Sequence, residues 1–141
     1  MRSAQEMIEA LGLQPHPEGG WYRETWRSPP LAPGGRAQAT SILFLLEDGR
    51  RSYWHRVDAG ELWLFQAGAP LRLFTAEDGA GGAVETVIGP DPLAGQAPQH
   101  LVRPGEWQAA EGGRGWSLAA CIVSPGFDFS GFELAPPGWA P

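Results

Sequence analysis

The chain opens on a helical period and then changes to strand periods. In "SAQEMIEALG" (3–12), Met7, Ile8 and Leu11 share a helical face, Ser3 stands at an N-cap, Glu6 completes a capping box and Gly12 can end the helix. After the stiff loop "LQPHPEGG", the segment "WYRETWR" (21–27) alternates, with Tyr22, Glu24 and Trp26 on one face and Trp21, Arg23 and Thr25 on the other. The run "ATSILFLLE" (39–47) is almost continuously apolar, as expected where both faces of a strand are covered. Short strand-like segments follow: "SYWHRV" (52–57), "ELWLFQAG" (61–68), "LRLFTA" (71–76) and "VETVIG" (84–89). "QHLVRP" (99–104), "EWQAA" (106–110), "WSLAACIVSP" (116–125) and "FDFSGFEL" (127–134) continue the series. Roughly ten short strands behind one helix predict an all-β barrel or two-sheet jelly roll. The barrel should span about residues 20–135 of a single domain, 1–141. Such a fold manages its edges by closing or by pairing with a second subunit.

Composition narrows the class. Glycine (20) and proline (14) are abundant but aperiodic, which fits frequent turns and excludes collagen-like or low-complexity sequence. A net charge of −6 argues against a nucleic-acid surface, which needs a basic stripe. The longest apolar stretch, "SILFLL" (41–46), is too short to cross a bilayer, and no cationic segment leads into a long apolar run. A single cysteine, Cys121, excludes an intramolecular disulfide; with no positive neighbour in an apolar strand, it reads as structural. The expectation is a cytoplasmic protein with no membrane or nucleic-acid partner.

The chemistry concentrates in "SYWHRVDAGELW" (52–63). Strand alternation places Tyr53, His55 and Val57 on one face, and Glu61, Trp63 and Phe65 on one face of the next strand. His55 and Glu61 together suit a metal site, an acid–base pair or a buried hydrogen-bonded pair. Gln108 alternates against Trp107 on its own strand, and Gln99 against His100. His16, in "PHPEGG", reads as a loop hydrogen-bonder, and Gly19-Gly20 as a tight backbone turn.

The spacing Gly49-x5-His55-x-Val57-x3-Glu61-x6-Gly68 resembles the first motif of the cupins, G-x5-H-x-H-x3-E-x6-G, with Val57 in place of the second histidine. Gly105-x2-Gln108-x3-Gly112 is similar to their second motif, G-x2-H-x3-N, with Gln108 in place of the histidine and Gly112 of the asparagine. "LGLQPHPEGGWYRET", "SYWHRVDAGELWLFQAGAPL", "PQHLVRPGEWQAA" and "VSPGFDFSGFEL" resemble the short single-domain Cupin_5 family, from about Leu11 to Leu134. The resemblance implies an RmlC-like jelly-roll barrel behind a short helix, and a homodimer whose N-terminal strands reach the interface.

What the resemblance implies for chemistry stays open between alternatives. Metal-loaded cupins present three histidines and a glutamate. Here His55, Glu61 and Gln108 would be the only candidates, a poor set for a divalent metal, so no cofactor is expected, and a cupin enzyme with a weakly held divalent metal stands as the last alternative. RmlC-type sugar epimerases work without metal through a histidine base and a tyrosine acid. By that likeness His55 is the base, Glu61 its orienter and Tyr22 (or Tyr53) the acid. A binding module for a sugar, nucleotide-sugar or similar polar metabolite is the leading reading. Glu24, Tyr53, Gln99 and Gln108 would be its polar contacts, and Trp63 and Phe65 its wall.

Overall fold

The N-terminal period becomes α1 (Ala4–Leu11) in the computed structural model, which describes residues 2–141. Ser3 Oγ accepts from the Glu6 N–H at 3.1 Å, and the Glu6 carboxylate accepts from the Ser3 N–H at 3.2 Å. The capping box therefore forms as the residues predict, and Gly12 ends the helix in a left-handed conformation.

The strands are β1 (Gln14–Pro15), β2 (Trp21–Arg27), β3 (Thr40–Glu47), β4 (His55–Val57), β5 (Gly60–Gly68) and β6 (Leu71–Ala76). They continue with β7 (Val84–Ile88), β8 (Gln99–Val102), β9 (Trp107–Glu111), β10 (Trp116–Ser124) and β11 (Phe132–Leu134). One sheet runs β1-β2-β3-β10-β5-β8 and the other β11-β4-β9-β6-β7; the paired strands are antiparallel throughout. This is the expected jelly roll. Among the described residues no helix is long and apolar enough to cross a membrane.

The apolar run of β3 is explained by what covers each side of it. Phe44 and Leu46 enter the core between the sheets, with Trp63, Leu71, Leu73, Ile88, Val102 and Ala119. Leu45 belongs to an outer cluster under α1, with Ile8, Leu13, Trp116 and Leu118. The helix thus covers the back of the first sheet, which would otherwise expose an apolar patch.

Two irregularities position the site. The register of β2 against β3 shifts between Glu24 and Trp26, so Thr25 is an inserted residue and parity changes there. Trp26 does not share the face of Tyr22 and Glu24 as simple alternation predicts. It is 53% exposed, and Arg27 takes the inward place instead. The other irregularity is the loop before β2. The Gly19 N–H donates to the His16 carbonyl at 2.9 Å and the His16 N–H to the Gly20 carbonyl at 3.0 Å, closing a tight turn. Gly19 and Gly20 have φ of 93° and 78°, and a Cβ on Gly20 would sit 2.7 Å from Phe44. Only glycine admits that approach, and it presses the His16–Glu18 segment into the barrel mouth.

Two predicted strands are shorter than expected. The 52–57 segment joins the ladder only from His55. In 127–134, the Asp128 side chain accepts from the Ser130 N–H at 3.0 Å, and this local bond makes a short helical turn before β11.

Candidate functional site

One end of the barrel opens into a cavity of about 390 Å³. Phe127, Phe129, Phe132 and Tyr22 give it aromatic walls, and its polar lining includes Glu18, His55 and Glu61. Glu24, Arg27 and Asp128 also line it. The three phenylalanines pack edge to face on one another, with ring centres 4.8 to 5.9 Å apart.

His55 is buried and both of its ring nitrogens are engaged. Nδ1 lies 2.9 Å from the Tyr53 carbonyl, and Nε2 lies 2.6 Å from the Glu18 carboxylate. A carbonyl only accepts, so Nδ1 carries a proton. Nε2 and Glu18 must then share another, and the short distance is that of a charge-assisted bond. Burial works against the His55 cation, yet the Glu18 charge and hydrogen bond outweigh it and raise the imidazole to about 9. Burial likewise works against the Glu18 anion, but His55 holds that carboxyl below its ordinary value. The resting state near neutrality is an ion pair.

Glu61 belongs to a second chain of bonds. The Trp63 indole N–H donates to Gln108 Oε1 at 2.9 Å, and the Gln108 amide donates to Glu61 Oε1 at 2.9 Å. Indole is a donor only, so it fixes which way the Gln108 amide points and hence what Glu61 receives. Gln108 lies opposite His55 in the β4–β9 ladder and reaches across the barrel to two residues of β5. Burial, and then the neighbouring Glu18 charge, push the Glu61 carboxyl up to about 7, against the pull of His55 and Gln108. Beside it Cys121 is buried, which pushes its thiol well above the ordinary range and makes it no nucleophile.

The structure brings together His55, Glu61, Tyr22 and Glu24 at the cavity, as their alternation predicts. It corrects the other assignments. The partner that orients His55 is Glu18, not Glu61. Tyr53 is 63% exposed and outside the cavity, because residues 52–54 precede the strand and its alternation does not reach them. Only the Tyr53 backbone serves the site: its carbonyl accepts from His55, and its N–H donates to the Glu18 carbonyl. Gln99 is exposed because β8 turns Val102 inward opposite Glu61 and His100 opposite Trp63, leaving Gln99 and Leu101 outside. Trp63 and Phe65 pack in the core and form no cavity wall. Gln108 is buried behind Glu61 and does not line the cavity.

Sequence reasoning missed Glu18, Arg27 and the contribution of His16. Glu18 lies in the loop PHPEGG, which no residue period connects to His55. Arg27 had no signal either, since the bulge that turns it inward leaves no mark in the residue pattern.

The metal that cupins commonly hold does not suit these residues. Both His55 nitrogens are committed, Val57 offers no donor, and the Gln108 amide is consumed by Glu61 and Trp63. Among the described residues no three His, Cys, Asp or Glu side chains come together as a metal-holding group. The cluster is built as a hydrogen-bonded acid–base array.

Known proteins agree with this architecture. Protein SO0799 from Shewanella oneidensis is 39% identical, with a TM-score of 0.87 over 96% of this chain and 85% of its own. A hypothetical protein from Leishmania major is 32% identical, with a TM-score of 0.83 over 95% of this chain and 88% of its own. Oxalate decarboxylase from Lactobacillus farciminis, a formate complex, shares the fold alone, at 20% identity and a TM-score of 0.61 over 86% of this chain and 33% of its own. None of the curated proteins matches the chain. The Cupin_5 family (cupin superfamily, DUF985) matches residues 5–135. The chain belongs to the Cupin_5 family.

Proposed function

We propose that this cupin binds a small, unphosphorylated polar metabolite of the sugar type in the barrel mouth. The observation that carries this reading is the pairing of aromatic walls with internally matched charge. Arg27 is held by Glu24 at 2.7 Å, and His55 by Glu18 at 2.6 Å. Glu61 and Asp128 add carboxyl groups and no cation. A phosphate group would meet no free cation among the lining residues, whereas hydroxyls find acceptors and a sugar's C–H face finds aromatic rings. Of the ligands expected for this barrel, a free sugar therefore suits it better than a nucleotide-sugar. A thermal-shift panel of free sugars, polyols and nucleotide-sugars tests this. Stabilisation by free sugars or polyols, abolished in Glu61→Ala, is the expected outcome; stabilisation by nucleotide-sugars alone would contradict it. Mn²⁺, Fe²⁺, Ni²⁺ and Zn²⁺ should leave the melting temperature unchanged.

A second reading, metal-independent isomerisation or epimerisation, is favoured by the position of Glu61. A cavity-lining carboxyl near pH 7 can both take and return a proton. His55, held as a cation by Glu18, is a charge partner and not the base. Incubation of 2-hydroxy-ketones and keto-sugars in D₂O should give carbon-bound deuterium with the wild type and none with Glu61→Gln. Equal uptake in both would remove this reading.

The homodimer is also proposed here. Among the described residues, the edge of β2 beyond Tyr22 has no neighbouring strand, because β1 pairs only with Trp21 and Tyr22, and Trp26 lies exposed along it. Sedimentation should give twice the monomer mass, and Trp26→Glu should shift it toward monomer.

A further inference from the structure

We propose that His16 is a ligand-binding residue of this cavity, whose Nε2–H is a fixed donor to an oxygen of the bound molecule. The proposal rests on the reading of the cavity as a small-molecule site. The tautomer follows from geometry. The Glu18 backbone N–H donates to His16 Nδ1 at 3.0 Å. A backbone amide nitrogen cannot accept, so Nδ1 holds its lone pair and the single proton of the neutral ring sits on Nε2. Protonating the ring would break this bond, and burial also holds the imidazole below its ordinary value.

The ring is clamped in place. Its side chain is 6% exposed; Tyr22 packs edge-on at 4.5 Å between ring centres, and Phe44 and Phe132 lie at 6.0 and 6.2 Å. No hydrogen bond among the described residues engages Nε2, although the ring lines the cavity. Among the described residues no buried side-chain polar atom lacks a partner, so Nε2–H is open to the cavity and free to donate to what enters it. The occupant's matching group is an acceptor: a carbonyl, ether or hydroxyl oxygen. An ammonium group would face the donor unfavourably. One short segment thereby supplies two different groups. Glu18 uses its backbone N–H to set His16 as a neutral donor and its carboxylate to hold His55 as a cation. With Glu61 lining the same cavity, the arrangement suits a molecule carrying at least two oxygens, a polyol or a hydroxy-ketone. One oxygen accepts from His16 and the other donates to Glu61.

Nitrogen-15 NMR of the histidine rings in the full chain tests this. At pH 7 His16 should show the Nε2–H tautomer. Titration with D-glucose or dihydroxyacetone should move the His16 Nε2–H signal together with those of Glu61 and Phe132, while ethylammonium should not. His16→Phe keeps the ring packing and should bind the same probes at least tenfold more weakly. An Nδ1–H tautomer would overturn the proposal. So would a probe that moves Glu61 and Phe132 while leaving the His16 signal unchanged; in that case the site reading would survive. No response from any cavity residue to any probe would overturn both.

Discussion

The two ends of the barrel are made by the same strands and differ in what they enclose. At the closed end, Phe44, Leu46, Leu71, Leu73, Ile88 and Ala119 fill the space between the sheets with apolar atoms. At the open end, Glu18, His55 and Glu61 are also buried, and each is ionisable. β5 shows the contrast along one strand: Glu61 lies at the cavity, while Trp63, two residues on, is in the core and donates back to the polar cluster through Gln108. The closed end has many equivalent packing contacts, whereas each polar group at the open end depends on one or two partners. Removing one of those partners leaves a buried charge behind, which is costly in a different way from leaving a cavity.

The contrast breaks most sharply at the closed end. Leu73→Ala should cost about 2–5 kcal/mol in urea unfolding through the cavity it leaves, with no selective effect on the titration of His55. At the open end, Glu18→Gln should cost about 3 kcal/mol, the scale for breaking a buried ion pair. NMR should then find His55 fallen from about 9 to near or below its ordinary 6.5. Similar losses with no change in His55 would mean that Glu18 is mere packing.

The ionisable end also sets the pH dependence. Glu61 is raised from 4.5 to about 7 and His55 from 6.5 to about 9, so the folded state holds more protons than the unfolded chain between pH 4.5 and 9. These two groups lower stability as pH rises through that window, while His16, held below its ordinary value by burial, works the other way below pH 6.5. Glu18 is depressed, so its share is present above 4.5 and is lost as pH falls below that value. The maximum should lie on the acid side of pH 7, with stability declining continuously from there to pH 9. Glu61→Gln should flatten the part between 4.5 and 7. Urea midpoints across pH check this, and a maximum above pH 7 would contradict it. The smallest effect belongs to Tyr53→Ala. An exposed side chain off the cavity should cost under about 0.5 kcal/mol and leave ligand shifts unchanged.

The fold was legible in the sequence because period, turns and capping all point one way. Ser3 and Glu6 cap α1, and the two-sided covering of β3 follows from its unbroken apolar run. The site was half legible. His55 and Glu61 lie at the cavity as their spacing implies, since alternation within a strand is a strong rule. The rule lapses where the chain leaves the ladder or changes parity, and there Tyr53 and Trp26 depart from their expected faces. Glu18 was hidden for another reason. It comes from a loop far from His55 in sequence, and no local period says which loop will fold over a barrel mouth.

The account turns on the claim that His55 pairs with Glu18 as a cation while Glu61, in the same cluster, titrates near neutrality. Site-resolved NMR titration of the His55 ring and the Glu61 carboxyl measures both groups in the same sample. The predicted result is Glu61 changing state near pH 7 and His55 keeping its charge until about pH 9. If Glu61 titrates near 4.5 and His55 near 6.5, the buried ion pair is not what holds this site together.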